Sequence, residues 1–183
     1  MRTSRKIAVS AAAAALLGTA GAAAAQAAIS GGTGAESTAA TPTCAASGLS
    51  ASVREHLAGG MNHVGITLEL KNTTDHSCAL RGYPGLGLED GEHQRLTSDT
   101  SWGETWYADD PGKETVTLKP EGTVEANVAW TRANSGTPEA RHAAYLVVTP
   151  PASTDYKTVK LDTWVDNGDL AVTAVAREVP VGR

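Results

Sequence analysis

The residues with the most reactive side chains do not form any of the common catalytic motifs. The sequence has no Gly-x-Ser-x-Gly elbow, no His-Glu-x-x-His motif, no phosphate-binding loop and no Gly-x-Gly-x-x-Gly fingerprint. Its five histidines lie in polar, loop-like stretches, where an imidazole is usually a solvated surface group: His56, His63, His76, His93 and His142. We therefore predict that the protein is not an enzyme and that it uses no catalytic residue, metal or cofactor.

Two short patterns come closest to a metal site. His56 and His63 flank a Gly-Gly pair in a hairpin-like connection that could bring them together, but zinc needs at least a third protein ligand. The run Asp-Asn-Gly-Asp at 166–169 resembles the start of a calcium loop, whereas the glutamate expected twelve positions from its start is replaced by Arg177. We interpret 166–169 as a hairpin turn.

The segment 101–112, Ser-Trp-Gly-Glu-Thr-Trp-Tyr-Ala-Asp-Asp-Pro-Gly, holds two of the four tryptophans. Rigid aromatic side chains are common anchors of binding surfaces and can stack on sugars or peptides, and neighbouring carboxylates accept hydrogen bonds. The two tryptophans are four residues apart, a spacing that places them on one face of either a helical turn or a strand. The candidate ligand-binding residues are Trp102, Trp106, Tyr107, Asp109 and Asp110.

The alternative interpretation is that these tryptophans belong to the core. The chain has no Phe, so its core must obtain bulk from other side chains. On this ground we favour the interpretation that Trp102 or Trp106, or both, cap one end of the fold. Trp130 and Trp164 lie in alternating strand patterns and are expected to be core residues as well.

The elements that position these residues are predicted to be strands, because the dominant hydrophobic period is two. Val64, Ile66, Leu68 and Leu70 alternate with smaller or polar residues in the clearest run. Similar short runs, separated by turn-forming residues, contain Leu49–Val53, Cys78–Leu80, Leu86–Leu88, Val116–Leu118, Val124–Trp130, Ala143–Val148, Val159–Leu161 and Leu170–Ala174. Seven to nine strands of this kind predict an all-β sandwich or barrel in a single domain spanning 44–180.

The N-terminal 27 residues have the features of a signal peptide. A positive region with Arg2 and Lys6 precedes an apolar run that is shorter than the roughly 20 residues of a membrane span. The small-x-small sequence 25–27 predicts cleavage before Ala28, and residues 28–43 have the Gly/Ser/Thr-rich composition of a disordered linker. We expect a secreted protein with no stable membrane span.

The two cysteines, Cys44 and Cys78, form an even set in a chain predicted to be exported. Oxidising compartments favour a disulfide over free thiols, and the absence of a Cys-x-x-Cys motif speaks against metal or redox chemistry. We predict a Cys44–Cys78 bridge.

Four short motifs occur along the chain in a recognisable order. They are Leu-Glu-Leu-Lys-Asn-Thr-Thr at 68–74, Ser-Cys-Ala-Leu-Arg-Gly-Tyr-Pro-Gly at 77–85, Thr-Leu-Lys-Pro-Glu-Gly at 117–122 and Leu-Val-Val-Thr-Pro-Pro at 146–151. The order resembles a family of secreted or lipid-anchored actinobacterial domains, the domain of unknown function (DUF) 4232 family. The resemblance covers essentially all of 44–179 and implies an immunoglobulin-like β-sandwich without known enzymatic activity. Members often carry more cysteines in the second half, which this chain lacks.

The first two of these motifs also have a physical interpretation of their own. Asn72 and its neighbours can end a strand by bonding their own backbone. Tyr83-Pro84-Gly85 suits a turn in which Gly85 takes a positive φ. We predict that both stretches shape the fold.

Composition limits the possible partners. The formal net charge is −5, and the predicted signal peptide removes three basic and no acidic residues, so no basic face is expected for nucleic acid. The leading hypothesis is a secreted, non-catalytic binding module for an extracellular protein or glycan. The alternatives are a structural component of the cell envelope or, third, an enzyme with an unrecognised site.

Overall fold

Eleven strands and one single-turn 3-10 helix, Ala46–Gly48, make up the described part of the chain, residues 40–182 of a computed structural model. The predicted signal peptide and residues 28–39 of the predicted linker lie outside the described residues. The strands are β1 (Leu49–Ala58), β2 (His63–Asn72), β3 (Cys78–Arg81), β4 (Gly85–Glu89), β5 (Arg95–Leu96), β6 (Asp99–Trp102), β7 (Thr115–Leu118), β8 (Thr123–Thr131), β9 (Ala140–Thr149), β10 (Lys157–Asp166) and β11 (Asp169–Val172).

These strands form three sheets. The first has five strands in the order β1-β2-β8-β11-β6, and the second has four in the order β10-β9-β4-β5. A third sheet pairs β3 with β7. All pairings within these sheets are antiparallel except that of β11 with β6, which is parallel. The arrangement confirms the predicted all-β sandwich, whereas its immunoglobulin-like character stays a prediction.

The core lies between the sheets and is built from the alternating aliphatic residues. On β2, Ile66, Leu68 and Leu70 are almost completely buried, and they meet Leu146 and Val148 of β9 in one continuous cluster. Leu80 of β3 and Leu118 of β7 belong to the same cluster, so the small sheet closes the core rather than forming a separate one.

The nine hydrophobic runs of the sequence correspond to nine of the strands, and β5 and β6 are additional. These two strands are two and four residues long and mostly polar, so no period could reveal them. β6 is held by pairing with β11, from Asp99 opposite Asp169 to Trp102 opposite Val172. Its existence depends on a neighbour that is distant in the sequence.

The turn at 166–169 is not a hairpin, contrary to our prediction. Asn167 and Gly168 both have positive φ, 54° and 81°, as in a tight two-residue turn. However, β10 pairs with β9 in the second sheet, whereas β11 pairs with β8 and β6 in the first. The turn therefore carries the chain from one sheet to the other.

The turn near Tyr83 also differs from the prediction in one detail. The residue with positive φ is Gly82, at 98°, while Gly85 begins β4 without one. The glycine needed for the backbone conformation thus precedes the Tyr-Pro pair instead of following it.

The disulfide joins Cys44 to Cys78 with a Cα–Cα distance of 4.8 Å, as predicted. The segment before Cys44 runs parallel to β3, because Ala79 donates its N–H to Pro42 O and accepts one from Cys44. Pro42 and Thr43, which belong to the predicted linker, are therefore part of the paired structure.

Candidate functional site: the aromatic loop

The five candidate residues lie in one segment, residues 102–110, which we call the aromatic loop. It runs from the end of β6 toward β7 and lies over the outer face of the five-stranded sheet. Thr105 fixes it there, because its buried Oγ1 donates a 2.5 Å hydrogen bond to Asn127 Oδ1 on β8. The same oxygen accepts the N–H groups of Tyr107 and Ala108, so one hydroxyl holds both the turn and its contact with the sheet.

Trp106 stands at the tip of this turn, and 52% of its surface is exposed. Its indole stacks on the His63 ring with a centroid distance of 3.9 Å and an interplanar angle of 9°. The neighbouring Tyr107 is half-buried and donates its O–H to His63 O at 2.8 Å. Burial raises the pKa of Tyr107 above the ordinary tyrosine value. Both side chains therefore brace the loop on the start of β2.

Gly65 makes room for this packing. A Cβ at that position would lie 2.9 Å from Tyr107 Cδ2 and 2.8 Å from Val128 O, which is too close for either atom. In the sequence, Gly65 is simply a small residue within a strand. The structure explains why it is glycine, because a side chain at this position would collide with Tyr107 of the aromatic loop.

Trp102 is 62% exposed and has a different support. Its indole is parallel to the Tyr83 ring, with centroids 5.6 Å apart and an interplanar angle of 7°. Tyr83 donates its O–H to Asp110 Oδ2 at 2.5 Å, and Asp110 Oδ1 accepts the Ala174 N–H at 2.9 Å. The hydrogen bond to Asp110 raises the pKa of Tyr83.

The expectation that Trp102 and Trp106 are core residues is wrong. The interior is filled by Leu, Ile and Val, so the missing phenylalanines are replaced by aliphatic side chains. Trp130, at 5% exposure, is the tryptophan that does belong to the core, as predicted. Trp164 differs from its prediction: it is half-buried on an outward face, tilted against His142 with centroids 4.7 Å apart.

Beside Trp106 lies an open hollow of about 410 Å³, bordered by Ser101, Glu104, Thr105, Trp106 and Ala171. Ala171 of β11, with its short side chain, contributes the apolar border of the hollow beside the exposed indole. Such a combination offers an apolar wall together with hydroxyl and carboxylate groups.

The match to known families covers the whole sandwich. Residues 44–176 match the family described as Domain of unknown function (DUF4232). The chain belongs to the DUF4232 family. Curated proteins and solved structures give no match to it. The DUF4232 match begins at Cys44 of the disulfide and includes the complete aromatic loop.

Within this DUF4232 domain the five candidates divide into two kinds. Trp102, Trp106 and Asp109 are exposed, whereas Tyr107 and Asp110 are partly buried and hold the loop to β2 and to the segment after β11. The two indoles rest on different partners, Trp106 on His63 and Trp102 beside Tyr83.

The sequence did not reveal the supporting residues of the DUF4232 aromatic loop. His63, Tyr83 and Asn127 lie on strands or turns far from the loop in sequence, and each looks like an ordinary surface or strand residue. No local signal could have identified them, because their role depends on the crossing of distant strands.

The histidines of the DUF4232 domain are dispersed. His56 pairs with Ile66 in the β1–β2 hairpin, whereas His63 stacks on Trp106, so the hairpin does not join the two rings. In the range 40–182 no three His, Cys, Asp or Glu side chains are placed to hold a metal ion. Nor does this range contain a helix long and apolar enough to cross a membrane.

One of the histidines, His93, contacts a buried carboxylate, that of Glu89. Glu89 of the DUF4232 domain is 3% exposed and lies 2.9 Å from His93 Nδ1 and 3.3 Å from Arg95 Nε. His93 stacks on Tyr145, with centroids 4.2 Å apart. The carboxylate is thus compensated by two cationic or donor groups, an arrangement that secures the β4–β5 hairpin.

Proposed function

We propose that this DUF4232 domain is a secreted, non-catalytic binding module that contacts an extracellular glycan through its aromatic loop. The observation that carries the proposal is the exposure of Trp102 and Trp106, each more than half accessible, on a loop anchored to the sheet. A pyranose ring has an apolar face for an indole and hydroxyl groups for Ser101 and Glu104 around the hollow. An extracellular peptide is the second ligand class that this surface accepts.

The support under each tryptophan favours binding. His63 stacks on one indole and Tyr83 lies parallel to the other, so both are restrained before a ligand arrives. Restraint of a side chain in the free protein lowers the entropy lost on binding. Exposed hydrophobic side chains on a mobile loop would lack this advantage.

Charge favours a neutral or cationic ligand. The chain carries a formal charge of −5, and acidic residues surround the tryptophans at Glu104, Asp109 and Asp110. An anionic polysaccharide would be repelled by this surface unless a cation intervened.

Secretion is the remaining part of the proposal. Its support is the Cys44–Cys78 bridge, which is typical of oxidising compartments, together with the signal-peptide features of residues 1–27. Mass spectrometry of protein from the culture medium should find an N-terminus at or within a few residues of Ala28. Retention of residues 1–27 in a membrane fraction would contradict it.

The test of the binding site uses purified protein and a panel of neutral and acidic polysaccharides and peptides. Trp106→Ala and Trp102→Ala should each weaken binding of a neutral glycan by about 30-fold or more, as for an exposed aromatic anchor. Their unfolding free energies should fall by no more than about 1–2 kcal/mol, because only a stacking contact is lost. Trp164→Ala, a half-buried tryptophan on the other sheet, is the matched control and should bind normally.

The outcomes separate the alternatives. Binding to peptides but not glycans, with the same loss in both variants, would retain the site and change the ligand class. Unchanged binding in both variants would exclude the aromatic loop as the contact surface.

A further inference from the structure

The hollow beside Trp106 continues past that residue toward the turn at 166–169. A second hollow of about 260 Å³ borders the first, and Ser101, Trp106 and Ala171 line both. The second hollow extends to Asp166 and Asp169, which lie at the two ends of the turn between β10 and β11. We call the two hollows together the Trp106 groove.

The Trp106 groove follows the outer face of β11. Leu170 is buried in the core, so its neighbours Asp169 and Ala171 point to the opposite face of the sheet. The pairing of β11 with β6 runs from Asp169 to Val172, three residue steps or about 10 Å, and Glu104 follows two residues after the last pair. The groove is therefore longer than one pyranose ring and accommodates a chain of linked rings.

The residues that a ligand would meet in this groove are accessible. Trp106 exposes 52% of its surface, and Ser101, Asp166 and Asp169 are exposed as well. Stacking on His63 fixes the indole, so it forms a rigid apolar wall where the two hollows meet.

Negative charge lies at both ends of the groove. Glu104 borders the larger hollow, and Asp166 and Asp169 border the smaller one, where Asp169 accepts a hydrogen bond from the neutral Asn167 side chain at 3.3 Å. Asp99, directly opposite Asp169 on the neighbouring strand, adds a carboxylate at this end. Among residues 40–182, no ion pair includes Asp166 or Asp169, and no Lys, Arg or His borders either hollow. The groove therefore attracts cationic groups.

We propose that the Trp106 groove binds an oligosaccharide of amino sugars, with protonated C2 amines at Asp166 and Asp169 and a pyranose face on Trp106. This inference rests on the glycan-binding function proposed above and names the class of glycan. The sugar ring supplies an apolar face for the indole, and each ammonium group donates charge-assisted hydrogen bonds to the carboxylates. A lysine-rich peptide would satisfy the carboxylates equally well, but it lacks a rigid apolar face for the indole.

The test compares three trisaccharides of the same linkage that differ only at C2: the glucosamine trimer, the N-acetylglucosamine trimer and cellotriose. At about pH 6 the aspartates are ionised and the glucosamine amines are largely protonated. By calorimetry, the glucosamine trimer should bind about tenfold more tightly than either of the others. Titration of the ¹⁵N-labelled protein with it should shift the Trp106 indole Nε1–H and the amides of Ser101, Asp169 and Ala171.

The double variant Asp166→Asn/Asp169→Asn keeps the shape of both side chains and removes their charges. Its preference for the glucosamine trimer over cellotriose should therefore be about tenfold smaller than in the wild type. Glu92→Gln/Asp155→Asn is the matched control, because it makes the same change in net charge at two exposed positions outside the groove. It should keep the wild-type preference.

Trp106→Ala distinguishes this inference from the function on which it rests. If Trp106→Ala weakens binding of all three trimers and the wild type binds them equally, the glycan site is retained and the amino-sugar assignment is overturned. Unchanged binding in Trp106→Ala would overturn both proposals. Trilysine bound more tightly than the glucosamine trimer, with the same dependence on Asp166 and Asp169, would overturn the inference in favour of a basic peptide.

Discussion

Asp110 was expected to contact a ligand, yet both of its carboxylate oxygens serve the fold. One accepts the Tyr83 hydroxyl and the other the Ala174 N–H, so the side chain ties the aromatic loop to the segment after β11 and to the turn before β4. A charged acceptor makes such hydrogen bonds stronger than neutral ones. Tyr83→Phe should therefore lower the unfolding free energy at neutral pH by about 1–3 kcal/mol.

The raised pKa of Tyr83 makes this contribution dependent on pH. Because the folded state favours the neutral phenol, the stabilisation is complete below the ordinary tyrosine pKa of about 10 and is lost as the pH rises through the higher folded value. Urea unfolding between pH 8 and 11.5 should show wild-type stability falling at the alkaline end, and Tyr83→Phe should fall less. Tyr156→Phe, which removes an exposed phenol, is the control and should follow the wild type. Parallel curves for all three proteins would refute the assignment.

Asn72 is a second residue whose role is structural. It is fully buried, and its Nδ2 donates to the carbonyls of His76, Leu118 and Lys119 while its Oδ1 accepts both the N–H and the O–H of Thr74. This confirms the prediction that it ends β2 by bonding backbone, and it adds a bond across to β7 that the sequence could not show.

Asn72→Ala should cost about 2–3 kcal/mol, because it leaves buried carbonyls without donors. Urea unfolding with an unchanged m-value would measure this loss. Asn134→Ala, at an exposed loop position, should change stability by no more than about 0.5 kcal/mol. Equal stabilities of the two variants would show that the Asn72 network contributes little.

At the scale of elements, hydrophobic period revealed the strands that face the core but not those held by polar pairing. The sequences of β2 and β8 alternate between aliphatic and small or polar residues, and the predicted positions of both strands are confirmed. β6 has four polar or exposed residues and exists through its parallel pairing with β11. Likewise, Asn167-Gly168 specifies a tight turn locally, whereas the sheet that each flanking strand joins is decided by tertiary packing.

The aromatic loop is the element on which the proposed function depends, and Thr105 is its anchor. Thr105→Val keeps the shape of the side chain but removes the donor to Asn127 and the acceptor for Tyr107 and Ala108. We expect a loss of about 1–3 kcal/mol in stability and faster hydrogen exchange at the amides of Tyr107 and Ala108. Ligand binding should weaken although both indoles are retained.

Thr117→Val provides the control for this change, because Thr117 is an exposed threonine of β7 outside the loop. Its exchange rates at 107 and 108 should equal those of the wild type. Protection of these two amides in Thr105→Val as strong as in the wild type would show that the loop is held by its aromatic contacts alone.

For the molecule as a whole, the two larger sheets share a core, and the small β3–β7 sheet closes it. β3 pairs along its length only with β7, and the N-terminal segment adds a short parallel bridge at Thr43 and Ala79. The Cys44–Cys78 bond joins this segment to β3, so a covalent link reinforces the least extensively paired of the three sheets. The sequence predicted the bond from cysteine count and compartment, while its place beside the small sheet required the fold.

The disulfide should therefore contribute strongly to global stability. Its sequence separation of 34 residues constrains the unfolded chain, and loss of a native bridge typically costs about 2–5 kcal/mol. The double variant Cys44→Ser/Cys78→Ser leaves no free thiol and should melt lower by about 6–20 °C, with the earliest loss of protection at the backbone amides of positions 44 and 79. Wild-type protein reduced with a phosphine should match the variant, whereas reductant should leave the melting temperature of the variant unchanged. Equal melting temperatures for oxidised and reduced wild type would mean that packing of Leu80 and Leu118 alone secures β3 to the core.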